Sequence, residues 1–269
     1  VDEVKPTMEK DAEISIKNIQ RFNVKLQVVD DYYKDKGLSG VTFEITNSKG
    51  DKAIGNPITD STGNLSAYIG TVYPNEKVTY TIKQTSTPNG YYDNNKTITF
   101  DVEYNEQGKI KNYNILTGTD IVTVNTTKYQ NERYIQFDYL SNKPKDVILG
   151  IKNYDKLTKA PVDGATYEVT AQEIINGSAV KSTSLAANND GTVTNVVDQF
   201  KESANQRVVE YTISQTTIPN SYRKIQDIVL QVRYNEDGSM ASANVISNPS
   251  NAKVSFSLGG KLQSLNDED

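Results

Sequence analysis

The sequence predicts an all-β protein made of two tandem antiparallel β-sandwiches set in an extended rod. Three observations carry that expectation: one segment occurs twice, strand-forming residues dominate, and turn signals recur at short intervals. The repeated segment is Tyr80-Thr81-Ile82-Lys83-Gln84-Thr85-Ser86-Thr87-Pro88-Asn89-Gly90-Tyr91, which returns as Tyr211-Thr212-Ile213-Ser214-Gln215-Thr216-Thr217-Ile218-Pro219-Asn220-Ser221-Tyr222. In each copy an alternating apolar run ends at a glutamine, and a Pro-Asn-Gly or Pro-Asn-Ser turn precedes a tyrosine. That is the pattern of a strand leading into a fixed turn.

The match extends outward from this segment. Gly40-Val41-Thr42-Phe43-Glu44 parallels Gly164-Ala165-Thr166-Tyr167-Glu168, and Val102-Glu103-Tyr104-Asn105-Glu106 parallels Val232-Arg233-Tyr234-Asn235-Glu236. The spacing between copies drifts along the chain, which places insertions in loops. A chain of 269 residues holding one such duplication divides into two domains, each long enough to bury its own core. The expected boundaries are 21–143 and 144–269, with residues 1–20 a linker or the end strand of a preceding domain.

Composition narrows the chemistry. The chain has no Cys, His or Trp, which removes thiol nucleophiles, histidine bases and the usual zinc sites. With 17 Tyr against 6 Phe and abundant Thr, Val and Ile, it favours strands. A net charge of −5 without basic clusters argues against nucleic acid as a partner. No apolar stretch is long enough to span a bilayer, and the first residues lack the apolar core of a signal peptide.

Taken in order, Ile14-Ser15-Ile16 alternates like a short closing strand, much as Ile135-Gln136-Phe137-Asp138-Tyr139 does before Asn142-Lys143-Pro144-Lys145. The first domain opens with Phe22–Val28, whose apolar residues alternate strictly and stop at Asp30-Asp31. Further strands are expected around Val41–Thr46, Leu65–Ile69, Val78–Gln84, Thr97–Tyr104, Lys109–Ile115, Ile121–Val124 and Tyr134–Tyr139. Turns such as Asp60-Ser61-Thr62-Gly63 join them. The second domain repeats the order through Val147–Ile151, Ala165–Ala171, Thr192–Val197, Val208–Gln215, Asp227–Tyr234 and Val254–Leu258. An insertion over about Gln199 to Gln206 is expected to form a loop or one helical turn. The short linker at Pro144 is expected to be stiff.

The segments Asp30…Gly40-Val-Thr-Phe-Glu and Asp155…Gly164-Ala-Thr-Tyr-Glu, the Asp60-Ser-Thr-Gly63 turn and the two Tyr-Thr-Ile-x-Gln-Thr-x-x-Pro-Asn-Gly/Ser-Tyr segments resemble the Cna B-type, or SpaA-like, domains of Gram-positive surface proteins and pilins. The resemblance covers nearly the whole chain twice. It implies Ig-like β-sandwiches of the inside-out type, often closed by an isopeptide bond between a Lys and an Asn. A buried Glu promotes that bond by moving protons, which requires a carboxyl group whose pKa the core has raised.

Carried onto this chain, the donor positions hold Val28 and Asn153, neither of which offers an amine. The glutamate positions hold Gln84 and Gln215, whose carboxamides cannot shuttle a proton. Asn142 lies where the first acceptor would fall, but strict alternation turns it away from the inward set Ile135, Phe137 and Tyr139. Neither domain is therefore expected to form the cross-link. Lys25 and Lys152, the substitute donors, have outward parity. Asn153 and Gln215 are expected to point into the second core and to bond each other, since buried polar groups need partners.

The resemblance implies a non-enzymatic stalk segment of a cell-wall-anchored adhesin or pilus-like protein on the bacterial surface. Such a segment would be a monomer without cofactor or metal, meeting a host matrix protein or glycan through the parent protein. A second reading makes it an adhesive module that holds its ligand through exposed tyrosines at Tyr32, Tyr33, Tyr91 and Tyr92. Catalysis by Asp30, Asp31 and Asp35 is disfavoured, because aspartates at strand ends are commonly solvated turn formers. Asn188-Asn189-Asp190-Gly191 lacks the ligand spacing of a helix-loop-helix calcium site and reads as a hairpin turn. Without a signal or wall-sorting motif, the sequence reads as an excerpt of a longer protein.

Overall fold

The computed structural model describes residues 16, 18–94, 97–118, 122–124, 134–174, 181–200 and 206–266. Ile14 and Ser15 of the expected amino-terminal strand, and 201–205 of the expected insertion, lie outside the described residues.

Eight strands make up the first pair of sheets: β1 (Phe22–Asp30), β2 (Phe43–Asn47), β3 (Asn64–Ile69), β4 (Lys77–Gln84), β5 (Thr97–Tyr104), β6 (Ile110–Thr117), β7 (Val122–Val124) and β8 (Tyr134–Asn142). They form one sheet of order β3-β1-β8-β7 and another of order β2-β4-β5-β6. Alternation explains the arrangement, because in β4 every second residue from Val78 to Gln84 is buried and faces the other sheet. Aromatic rings join the two layers. Phe22 of β1 lies 4.5 Å from Tyr80 of β4, and Phe100 of β5 meets Phe137 of β8 edge to face at 5.3 Å.

The second pair of sheets comprises β9 (Asp146–Lys152), β10 (Thr166–Glu173), β11 (Lys181–Ala186), β12 (Thr192–Gln199), β13 (Arg207–Thr217), β14 (Ile228–Tyr234), β15 (Met240–Ser247), β16 (Lys253–Leu258) and β17 (Gln263–Ser264). Their orders are β11-β10-β13-β14-β15 and β12-β9-β16-β17. The all-β expectation holds, and among the described residues no helix is present. Three strands absent from the sequence reading, β11, β15 and β17, all sit at sheet edges.

Backbone bonds around the two opening strands make the copies equivalent. Val28 N–H donates to Gly63 O and Asn153 N–H to Gly191 O, while Leu38 N–H donates to Val28 O and Val162 N–H to Asn153 O. Phe43 stands opposite Gln84, and Tyr167 opposite Gln215.

The closing strands break the symmetry. β8 runs parallel to β1, the one parallel pair among the described strands, with a register shift between Lys25 and Val28. The shift inserts an extra residue into β8, a bulge that reverses the inward and outward faces beyond it. In the second copy β16 pairs antiparallel with β9, and β17 occupies the edge.

Each core contains a buried tyrosine pair. The Tyr80 and Tyr104 hydroxyls are 2.6 Å apart, and those of Tyr211 and Tyr234 are 3.5 Å apart. Burial pushes Tyr80 and Tyr234 up to about 12, and Tyr211 well above its ordinary value. Because the folded pKa lies above the unfolded value near 10, this stabilisation is complete below about pH 10 and is lost as pH rises toward 12. Alkaline unfolding is expected in that window, with tyrosinate absorbance and loss of β-sheet circular dichroism rising together. Retention of the β-sheet signal after the buried tyrosines have ionised would contradict it.

Candidate functional site: the strand ends and the joint

In the first copy the strand end is closed. Val28 is fully buried and pairs with Leu140, while Asp30 stands opposite Asn142. Asn142 is only 1% exposed, contrary to the outward direction expected from strict alternation. The bulge in β8 is the reason: it turns Tyr139 to solvent and Leu140 and Asn142 inward. Both polar atoms of the Asn142 side chain are buried without a partner among the described residues, as is the Gln84 Oε1. Gln84 donates through Nε2 to Ser86 O at 2.9 Å and to Thr87 Oγ1 at 3.2 Å.

An unpartnered buried amide costs stability, and an apolar side chain of similar shape removes that cost. Asn142→Leu is therefore expected to raise stability by about 1–2 kcal/mol, measured by urea denaturation. A loss would show that the amide has a partner.

Asp30 is buried rather than solvated. Its Oδ1 accepts the N–H groups of Tyr32 and Tyr33 at 2.7 and 2.9 Å, and its Oδ2 accepts the Tyr91 hydroxyl at 2.7 Å. Asp31 is exposed and pairs with Lys34 at 2.5 Å. These aspartates are committed to shaping the loop. Lys25 Nζ lies 4.3 Å over the Tyr134 ring, and Lys152 is exposed.

In the second copy the expected bond between Asn153 and Gln215 is not made. Asn153 is half-buried and donates through Nδ2 to Val162 O at 3.0 Å. Gln215 is 4% exposed and accepts the Ile225 N–H at 2.9 Å. Loop backbone satisfies each side chain separately, because the loops after β9 and β13 fold back over their own strand ends.

The tyrosines divide. Tyr32 is 61% exposed and Tyr33 39% exposed, with their rings edge to face at 4.9 Å. Tyr91 is 2% exposed, which removes it from any exposed tyrosine patch. Tyr92 is half-buried. Both belong to a joint that the sequence reading did not locate.

At this joint the Pro88–Tyr92 turn of the first sandwich is tied to the linker and to the second sandwich. Tyr92 N–H donates to Lys143 O at 2.9 Å and Lys145 N–H to Gly90 O at 2.7 Å, and Tyr91 bridges to Pro144. Phe200, anchored by its N–H on Lys145 O, meets Tyr91 edge to face at 5.6 Å and Tyr234 at 6.2 Å. Gly90 has φ +85°, and a Cβ placed there would lie 2.2 Å from the Phe200 ring. Asn89 Nδ2 reaches Asp237 Oδ2 at 3.2 Å. The equivalent second-copy turn has Ser221 in place of Gly90, also at positive φ, and its Tyr222 is 44% exposed.

The fold and these paired strand ends define a prealbumin-like sandwich repeated in tandem. Residues 22–116, within the first sandwich, match the family model of the SpaA prealbumin-like fold domain. No curated protein matches the chain significantly.

Among solved structures, a streptococcal ancillary pilin is 14% identical over 87% of this chain and 61% of its own, with TM-score 0.33. The C-terminal fragment of the pilus adhesin SpaC from Lactobacillus rhamnosus GG is 15% identical over 92% of this chain and all of its own, with TM-score 0.35. The Bacillus anthracis TIE protein is 14% identical over 92% of this chain and 49% of its own, with TM-score 0.41. The chain thus spans 61% of the pilin's length and about half of the TIE protein's.

Proposed function

We propose that this chain is a non-enzymatic spacer segment of a Gram-positive cell-wall-anchored surface protein, an adhesin or pilus-like stalk, outside the cell. Its two domains, 21–143 and 144–269, would hold a distal part of the parent protein away from the envelope without internal isopeptide bonds. Residues 1–20 would link to a preceding domain.

The joint carries this reading. A turn bonded along the linker and clamped on Phe200 opposes bending, which a spacer requires and a flexible tether does not. The first sandwich offers a comparable socket: Val72 N–H donates to Gln20 O, and Gly108 abuts Val72 as Gly238 abuts Phe200. That repetition suits an array in which each unit receives its neighbour's turn. The absence of an amine at Val28 and Asn153, and of a carboxyl group at Gln84 and Gln215, supports the missing cross-links.

The adhesive alternative has one specific observation in its favour, the exposed ring pair of Tyr32 and Tyr33. These rings also border a cleft of about 90 Å³ at the joint, beside Pro144, Phe200 and Arg207. A joint contact is the simpler use for them. A binding screen of this chain against matrix proteins, glycans and host cells, with Tyr32→Ala/Tyr33→Ala as the comparison, separates the readings. The spacer account predicts no binding that depends on these tyrosines; saturable binding lost in the variant would overturn it.

A further inference from the structure

The two copies differ most where their opening strands end. β8 accompanies β1 as far as Asp30 opposite Asn142, so the first strand end is covered. The neighbour of β9 is β16, whose first pair sets Lys253 opposite Lys152 and which then runs the other way. Beyond Lys152 none of the described strands pairs on that side, and a cleft of about 350 Å³ lies there.

Tyr167 forms part of the cleft's lining. It is 1% exposed, and its hydroxyl is buried without a partner. The equivalent residue in the first copy is Phe43, so this hydroxyl is an addition that no group among the described residues uses. Burial raises its pKa, which keeps it a neutral donor.

Lys152, Lys156, Lys159 and Lys253 also line the cleft, and among the described residues no carboxylate does. The adjacent Asp155 is occupied by the N–H groups of Leu157 and Thr158, and the carboxylate felt by Lys152 is that of the Asp190 turn. Lys159 Nζ sits 5.5 Å over the Tyr154 ring.

We infer that this cleft binds an acidic saccharide, with the lysines holding its carboxylate or sulfate group and the Tyr167 hydroxyl donating to it from within. The volume suits a ligand larger than a bare inorganic anion. Asn153, whose amide nitrogen alone is committed, and Asn251 supply groups able to exchange hydrogen bonds with sugar hydroxyls. An unused buried donor beside clustered cations is the arrangement that an anion would satisfy. This inference does not rest on the spacer reading, since a site on the second sandwich is compatible with either role.

Calorimetric titration of the whole chain with a heparin-derived tetrasaccharide, a hyaluronan tetrasaccharide and neutral maltotetraose tests it. One-site binding of at least one acidic sugar, weakened by salt, is expected. Binding of the heparin fragment alone would assign sulfate, and of hyaluronan alone carboxylate. Tyr167→Phe should weaken binding roughly tenfold or more with thermal stability retained, since Phe43 shows that the fold accepts phenylalanine there. Lys152→Gln/Lys253→Gln should weaken it further and flatten its salt dependence. Absence of binding to both acidic sugars, equal binding of maltotetraose, or unchanged affinity in Tyr167→Phe would overturn the inference.

Discussion

Phe200→Ala is expected to lower stability by about 3–5 kcal/mol and to release the two sandwiches from their fixed relation. The ring is 2% exposed and bridges the units, with Tyr91 on one side and Tyr234 on the other. Its loss removes contacts from the second core and from the joint together. Gly90→Val isolates the joint, because residue 90 belongs to the first sandwich. A β-branched residue is strained at φ +85°, and its Cβ would enter the Phe200 ring. Both variants should speed tryptic cleavage after Lys145 by tenfold or more, roughly the effect of 1.4 kcal/mol on local opening. Unchanged cleavage in both would mean that the contacts between the sandwiches contribute nothing to order in the linker.

Restoring the missing chemistry should have an effect of similar size. Val28→Lys/Gln84→Glu places an amine and a carboxyl group at buried positions of the first core, where the Asn142 amide is also buried and has no partner among the described residues. The lysine amine would attack the Asn142 side-chain carbonyl carbon and ammonia would leave, with the glutamate moving the protons. Intact mass of the denatured protein should fall by one ammonia. A cross-link closing on the order of a hundred residues should add about 4–5 kcal/mol by chain entropy. Val28→Lys alone should instead destabilise, since it buries an unpaired amine. An unchanged mass in the double variant would show that Asn142 is not placed as an acceptor.

Strands whose apolar residues alternate on one buried face were legible in the sequence, as in Phe22–Val28 and Tyr80–Gln84. The edge strands β11 and β15 were not. In Lys181–Ala186 only Leu185 is buried, and no residue of Met240–Ser247 is fully buried, so no period stands out. The inward turn of Asn142 depends on a bulge set by pairing with a strand far away in sequence, which parity counting cannot include. The reversed direction of β16 was equally hidden, since Lys253–Leu258 alternates identically read either way.

Among the candidate site residues, the buried positions of Val28, Gln84 and Gln215 followed from alternation, whereas the partners of Asn153 and Gln215 are loop backbone that no pattern names. The joint left one trace, the contrast of Gly90 with Ser221 between otherwise matching turns. A glycine kept in only one copy marks the place where a neighbour comes close.

The central claim is that the two sandwiches are held in one relation by the Pro88–Tyr92 turn and Phe200. Because the chain has no cysteine, spin labels can be placed cleanly at Lys111→Cys and Thr194→Cys, both exposed positions on different sandwiches. Pulsed electron spin resonance should then give a single narrow distance distribution that broadens when Phe200→Ala is added. A broad distribution in the otherwise unaltered chain would contradict the account and make the pair a flexible tether.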